Sequence, residues 1–216
     1  MVRRGLVGAF GHLSVRVGAD AFVMTPPRPL ATVAGGSEVL EVSTTSAEAP
    51  AGAAGEVWMH WAVYRKRDDV GGVCRAQPPA VAALAASGHG AEALHVLGAL
   101  LGPVALHEDA RLARTPEQGE AVASALGEAT ALMIHGNGAL TVGRDMGSAV
   151  AAMCALEESA QVNLDALATG VRRPIPQTQA EELYGLRTEL LRRYWTYLRQ
   201  VESHNGDREY GPTLQR

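Results

Sequence analysis

Residues 56–76 constrain the fold more than any other stretch. Residues 56–67 carry Val57, Trp61 and Tyr64 at the spacing of a core-facing helical stripe. Glu56 and His60 lie four residues apart and so share one face of that helix. An apolar run at 70–76 follows almost at once and reads as a buried strand. Pro78-Pro79 then opens a further helix, because a first turn leaves its N–H groups unused and loses nothing to proline. A helix handing on to a buried strand, and that strand to another helix, requires helices packed on a sheet.

The rest of the chain extends the pattern. Residues 13–17 and 21–25 read as a hairpin around a Gly-Ala-Asp turn, with Ser14 and Arg16 on one face. Prolines 26, 27 and 29 end its second strand. A strand is expected at 39–44, a loop at 45–55, and strands at 131–134 and 139–142 around a His-Gly-Asn-Gly turn. Thr115 to Gln118 forms a capping box for a helix reaching about Leu126. Asp145 caps a long helix that stops at Gly170. Thr178 to Glu181 forms a second capping box, which predicts one final helix over 178–203 before a loose polar tail. The class is therefore α/β, in one domain over 1–216.

Composition excludes several functions. A net charge of −4 gives no reason to expect a nucleic-acid partner. No apolar run is long enough to span a bilayer, and no signal peptide is expected after the basic start. Two cysteines, Cys74 and Cys154, are too few for a disulfide framework, so a reducing cytoplasm is the expected location. A single lysine, Lys66, stands among 19 basic residues. With abundant alanine, that bias points to a high-GC, bacterial genome.

Four blocks then occur in a fixed order. They are Gly11-His-Leu-Ser-Val-Arg16, Met24-Thr25-Pro26, the run from Glu56 through His60 and Tyr64 to Val73, and Gly138 to Gly143 with the long helix behind it. Together they resemble the class II aldolase/adducin family over residues 5–170; order and spacing carry the resemblance more than any single block. The third block is the strongest, similar to Glu-x-x-x-His-x-x-x-Tyr-x-x-Arg-x-Asp-Val-x-x-Val. The resemblance implies a three-layer αβα sandwich around a largely antiparallel sheet, assembled as a homotetramer. It also implies a whole helix before the first block, where ten residues stand here.

The resemblance also implies a metal site, and here the chain departs from it. Relatives carry His-x-His after the third block and a third histidine before the glycine of the fourth. This chain has Arg75-Ala-Gln77, and Asn137 precedes Gly138. His135 falls two residues early; a shifted alignment restores it as a ligand but misplaces Gly143. Arginine has no free lone pair and cannot ligate, and a guanidinium repels a cation. The expectation is a pocket without metal or other cofactor. Arg75 could supply positive charge and two donors to an enolate, or hold a substrate carboxylate. Glu56 matches the family's acid/base glutamate; alone, it could equally be a first-turn carboxylate facing the helix dipole. His12 could line the pocket or merely shape a turn. Thr25 remains from the second block, but Ala54-Gly55 replace the serine pair of sugar-phosphate aldolases. His107 lies near a tyrosine that aldolase members donate across the subunit boundary; it could equally be a surface histidine.

The expected site is thus Glu56, Arg75 and His107 for chemistry, with His12, Thr25, Gln77, Asn137 and His135 binding a small carboxylic acid. The expected function is a metal-independent lyase for a non-phosphorylated hydroxy- or keto-acid, acting by decarboxylation or retro-aldol cleavage. Two alternatives remain: a non-catalytic, adducin-like binding protein, and a metal-dependent aldolase using other histidines. Elemental analysis of the purified protein should find no stoichiometric zinc, iron or manganese, and chelators should leave its stability unchanged. Roughly one tightly held ion per chain would contradict this.

Overall fold

The computed structural model describes residues 1–33 and 38–209. Seven strands form one sheet: β1 (His12–Arg16), β2 (Ala21–Met24), β3 (Leu40–Ser43), β4 (Gly72–Ala76), β5 (Ala105–His107), β6 (Ala131–Ile134) and β7 (Ala139–Gly143). Their order is β3-β2-β1-β4-β7-β6-β5. Every neighbouring pair is antiparallel except β5 with β6.

The helices are α1 (Val57–Lys66), α2 (Pro79–Ala86), α3 (Val96–Ala99), α4 (Pro116–Leu126), α5 (Met146–Ala168), α6 (Gln177–Gly185) and α7 (Arg187–Glu209). Side chains alternate across the central strand β4. Cys74 and Ala76 join the core under α2, α5 and α7, whereas Val73 joins the core under α1 and α4. The result is the expected three-layer sandwich. Arg75, two residues from Val73, faces the α1 layer. No helix among the described residues is long and apolar enough to cross a membrane.

Local signals account for most helix ends. At α4, Thr115 Oγ1 accepts from the Gln118 amide while Gln118 Oε1 accepts from the Thr115 amide. Asp145 caps α5 by accepting from the Ser148 amide at 2.7 Å. Arg16 holds the far end of α1. Its guanidinium donates to the Tyr64 and Arg67 carbonyls at 2.7 and 2.8 Å, which that helix end leaves without intrahelical partners.

The single final helix is a correction. The chain breaks at Leu186 into α6 and α7, and α6 begins after Pro176 with no side-chain cap. Thr178 lies inside its first turn; Glu181 accepts from Gln177 Nε2 instead. Gly185, a poor helix former, precedes the break. The break has a packing reason too: α6 lies on α3 and α7 on α5, so one straight helix cannot serve both. Helix α7 continues to Glu209, past the expected end at 203; residues 210–216 of the expected loose tail lie outside the described residues.

Two glycines let backbone approach the site. Gly138, at φ 78°, ends the β6–β7 turn, and a Cβ there would stand 2.2 Å from the Ala76 carbonyl oxygen. Gly11, at φ 138°, precedes His12, and a Cβ there would meet Val7 at 2.7 Å. A side chain at either position would meet both a disfavoured backbone conformation and a clash.

Candidate active site

Strand pairing begins the site. β1 and β4 lie in register with His12 opposite Arg75 and Ser14 opposite Val73. Side chains directly opposite share a face, so His12 and Arg75 are neighbours under the start of α1. The β6–β7 turn adds Asn137, whose amide is held by the Ile134 carbonyl at 3.0 Å. Gln77 follows the end of β4.

Glu56 occupies the N-cap position of α1, but its side chain makes no capping bond. The carboxylate turns into the site. Its Oε2 lies 3.3 Å from Arg75 Nη2 and 3.6 Å from His12 Nε2, and its Oε1 accepts from Asn137 Nδ2 at 2.9 Å. Asn137 Oδ1 accepts from Arg75 Nη2 and from Gln77 Nε2. Arg75 is 1% exposed, the largest of the fully buried side chains. Its Nε and Nη1 have no hydrogen-bond partner among the described residues. A buried donor left unsatisfied costs about 1–3 kcal/mol, more on a charged group.

Burial lowers the Arg75 pKa from its ordinary value, and the Glu56 charge opposes that shift. The same burial, with the guanidinium close by, pushes His12 down to about 3. His60 is pushed well below its usual range by burial, then by His12 and Arg75. Both imidazoles are therefore neutral near pH 7.

A cleft of about 360 Å³ opens over this cluster, within the range of small-molecule sites. His12, Glu56, Arg75, Gln77 and Asn137 all line it. Thr25, His107 and His135 do not. Thr25 Oγ1 accepts from the Leu13 amide within the β1–β2 hairpin. His107 lies in a separate recess with Asp109 and Arg111, and its carbonyl accepts from the His135 amide. Sequence reasoning missed Arg28 and Arg114 on the cleft wall. Arg28 sits two residues beyond Pro26, and Arg114 just before the capping box, where no spacing marks them as neighbours. It also missed the contact between His12 and His60, although both stand in the quoted blocks.

The donor set does not fit a divalent cation. Arg75 supplies only N–H donors, and the Asn137 oxygen that could ligate is already turned to it. Among the described residues no three His, Cys, Asp or Glu groups converge in a metal-holding arrangement.

This sandwich, with a glutamate at the head of a helix facing the end of a central strand, is an aldolase-type architecture. The model of the Class II Aldolase and Adducin N-terminal domain matches residues 1–164, and the chain belongs to that family. No curated protein matches it in sequence. Among solved structures, the L-fuculose 1-phosphate aldolase of Glaciozyma antarctica is 23% identical, covering 94% of this chain and 85% of its own, with a TM-score of 0.76. The L-fuculose-1-phosphate aldolase of Thermus thermophilus is 28% identical over 79% of this chain and 91% of its own, with a TM-score of 0.68. YgbL of Escherichia coli, described as a putative aldolase/epimerase/decarboxylase, is 18% identical over 85% of this chain and 91% of its own, with a TM-score of 0.73. At 23% and 18% identity, the first and third share the fold alone.

The neutral histidines set a pH dependence of stability. In the unfolded chain an imidazole takes up a proton near pH 6.5, whereas folded His12 does not until about 3. Between those values the unfolded state binds more protons, so stability falls as pH drops below 6.5 and is level above it. With His60 contributing likewise, the loss should reach about 2.7 kcal/mol per pH unit, and His12→Asn should halve it. Urea unfolding at pH 5, 6 and 7 measures this; equal stability at pH 5 and 7 would refute it.

Proposed function

We propose that the protein is a metal-independent carbon–carbon lyase for a small, non-phosphorylated hydroxy- or keto-acid. One observation carries the reading: a buried guanidinium in a cleft, with Nε and Nη1 unpartnered among the described residues. Those donors suit a carboxylate or an enolate oxygen, with the planar fork that an ammonium lacks. In a retro-aldol step, Glu56 takes the proton of the β-hydroxyl. The carbon–carbon bond then breaks, an aldehyde or ketone leaves, and the electron pair passes to an enolate oxygen facing Arg75. Glu56 returns the proton to the enolate carbon. In a decarboxylation, carbon dioxide leaves and the same enolate forms. A preorganised donor at such an oxygen contributes about 3–4 kcal/mol.

Gln77 and Asn137 hold the substrate beside Arg75, while His107 is proposed to act on a neighbouring subunit's cleft within a homotetramer. Thr25 and His135 have no part in this scheme. A non-catalytic binding role is favoured by one specific observation: Glu56 already faces three donors, from Arg75, Asn137 and His12.

Calorimetric titration with small hydroxy- and keto-acids should show binding to wild type and to Glu56→Gln. Arg75→Ala should weaken it roughly 100-fold, the loss of about 2.7 kcal/mol from charged hydrogen bonds, and Arg75→Lys should restore it only in part. Equal binding by wild type and Arg75→Ala would make Arg75 a structural ion-pair residue and favour the non-catalytic role. Light scattering should give four chains per particle at micromolar concentration; a monomer mass would remove the assembly and the place of His107 in it.

A further inference from the structure

Four uncharged polar groups lie behind Glu56 and take no part in that chemistry. His12 Nδ1 lies 3.3 Å from His60 Nε2. His60 Nδ1 lies 2.7 Å from Ser14 Oγ, and Ser14 Oγ lies 3.0 Å from the Tyr64 hydroxyl. All four are buried: His60 is 0% exposed, Ser14 and Tyr64 1% each, and His12 8%. The series ends against Glu56, where His12 Nε2 stands 3.6 Å from Oε2, an electrostatic contact longer than a full hydrogen bond.

The polarity of this series follows from proton counting. The Glu56 carboxylate, ion-paired with Arg75, presents Oε2 to His12 Nε2, and an acceptor-only group there calls for the N–H of that ring. His12 Nδ1 is then the lone pair of its ring and accepts from His60 Nε2. A neutral imidazole carries one N–H and one lone pair, so His60, donating from Nε2, takes the serine proton at Nδ1. By the same count Ser14 Oγ, its own proton given to His60, takes the phenol proton of Tyr64. The opposite polarity would set a bare His12 Nε2 lone pair against the Glu56 carboxylate.

We propose that Tyr64, Ser14, His60 and His12 form a one-way series of hydrogen-bond donors that positions the Glu56 carboxylate and offers it no proton acceptor. This rests on the reading of Glu56 as the proton-moving group. His12 Nε2 already carries a proton, and its Nδ1 lone pair is taken by His60. A proton gained by Glu56 cannot pass inward and must leave on the cleft side, to the reacting carbon or to water. The charged groups around His12 reinforce this. Arg75 on β4 opposes a second positive charge, while Glu56 at the head of α1 is the one carboxylate in ion-pair contact with it among the described residues. The four are positioning residues; none reaches the cleft's contents except His12, at its wall.

Nitrogen NMR of the full-length protein with 15N-labelled histidine tests this without a substrate. In wild type, both rings should show a protonated Nε2 and an unprotonated Nδ1 at every pH from 5 to 8. Ser14→Ala removes the donor to His60 Nδ1, so both rings should lose their single tautomer and show averaged nitrogen shifts. Ser14→Thr keeps the hydroxyl and should restore the wild-type pattern, which simple packing would not predict. Amide spectra of the same samples report whether each variant is folded, and the wild-type tautomers alone decide the polarity. A protonated Nδ1 on either ring, an imidazolium at pH 5, or a folded Ser14→Ala protein with wild-type shifts would each overturn the proposal. Loss of acid binding to Arg75 would leave these tautomers in place, so the two readings fail separately.

Discussion

A buried guanidinium is the constraint on which the rest of the site depends. Arg75 sits on β4, the central strand, and is 1% exposed. A charge so placed loses its hydration and needs partners of the right geometry close by. The fold supplies them from two directions, Glu56 from the head of α1 and Asn137 from the β6–β7 turn, while Gln77 from beyond the end of β4 donates to the same Asn137 oxygen. Helix α1 is thereby tied to the sheet at both ends. Arg75 meets the carboxylate at its start, and Arg16 on β1 takes the carbonyls at its finish. The depth and rotation of α1 on the sheet are set by two arginines as well as by its apolar face.

The charged and uncharged halves of the cluster follow from one helical period and one strand period. Glu56, His60 and Tyr64 recur every four residues on α1, and His12 and Ser14 every two on β1. Crossing these two rows brings carboxylate, imidazoles, serine and phenol into one line. At the end nearest Arg75 the groups are charged. Away from it, burial keeps both imidazoles neutral, and a serine and a phenol complete their hydrogen bonds. A second full charge deeper in this line would lack any buried counter-charge among the described residues.

How far the fold was legible depended on the range of the signal. The Thr115 capping box formed as its spacing implies, because its partners are three residues apart and outside influences are weak. The Thr178 box carries the same pattern yet did not form, because α6 and α7 each answer to a different packing partner. The short strand β5 and helix α3 gave no periodicity to read; β5 exists through parallel pairing with β6. Glu56, Arg75, Gln77, Asn137 and His12 were legible as site candidates through their positions in ordered blocks. Arg28 and Arg114 were not, since 86 positions separate them in a chain where only folding makes them neighbours.

Local pattern thus determined the class of fold, the helical face shared by Glu56 and His60, and the residue types at Arg75, Gln77 and Asn137, of which the arginine has no lone pair to give a metal. These depend on residue type and on spacings of two to four, which backbone geometry converts directly into direction. Only the tertiary structure decided which strands pair, and hence that His12 stands opposite Arg75. It also decided that Glu56 faces Arg75 rather than capping α1, and that His107 and His135 lie away from the cleft. Strand register and helix depth are settled by burial summed over the whole core, and no short stretch of sequence contains that sum.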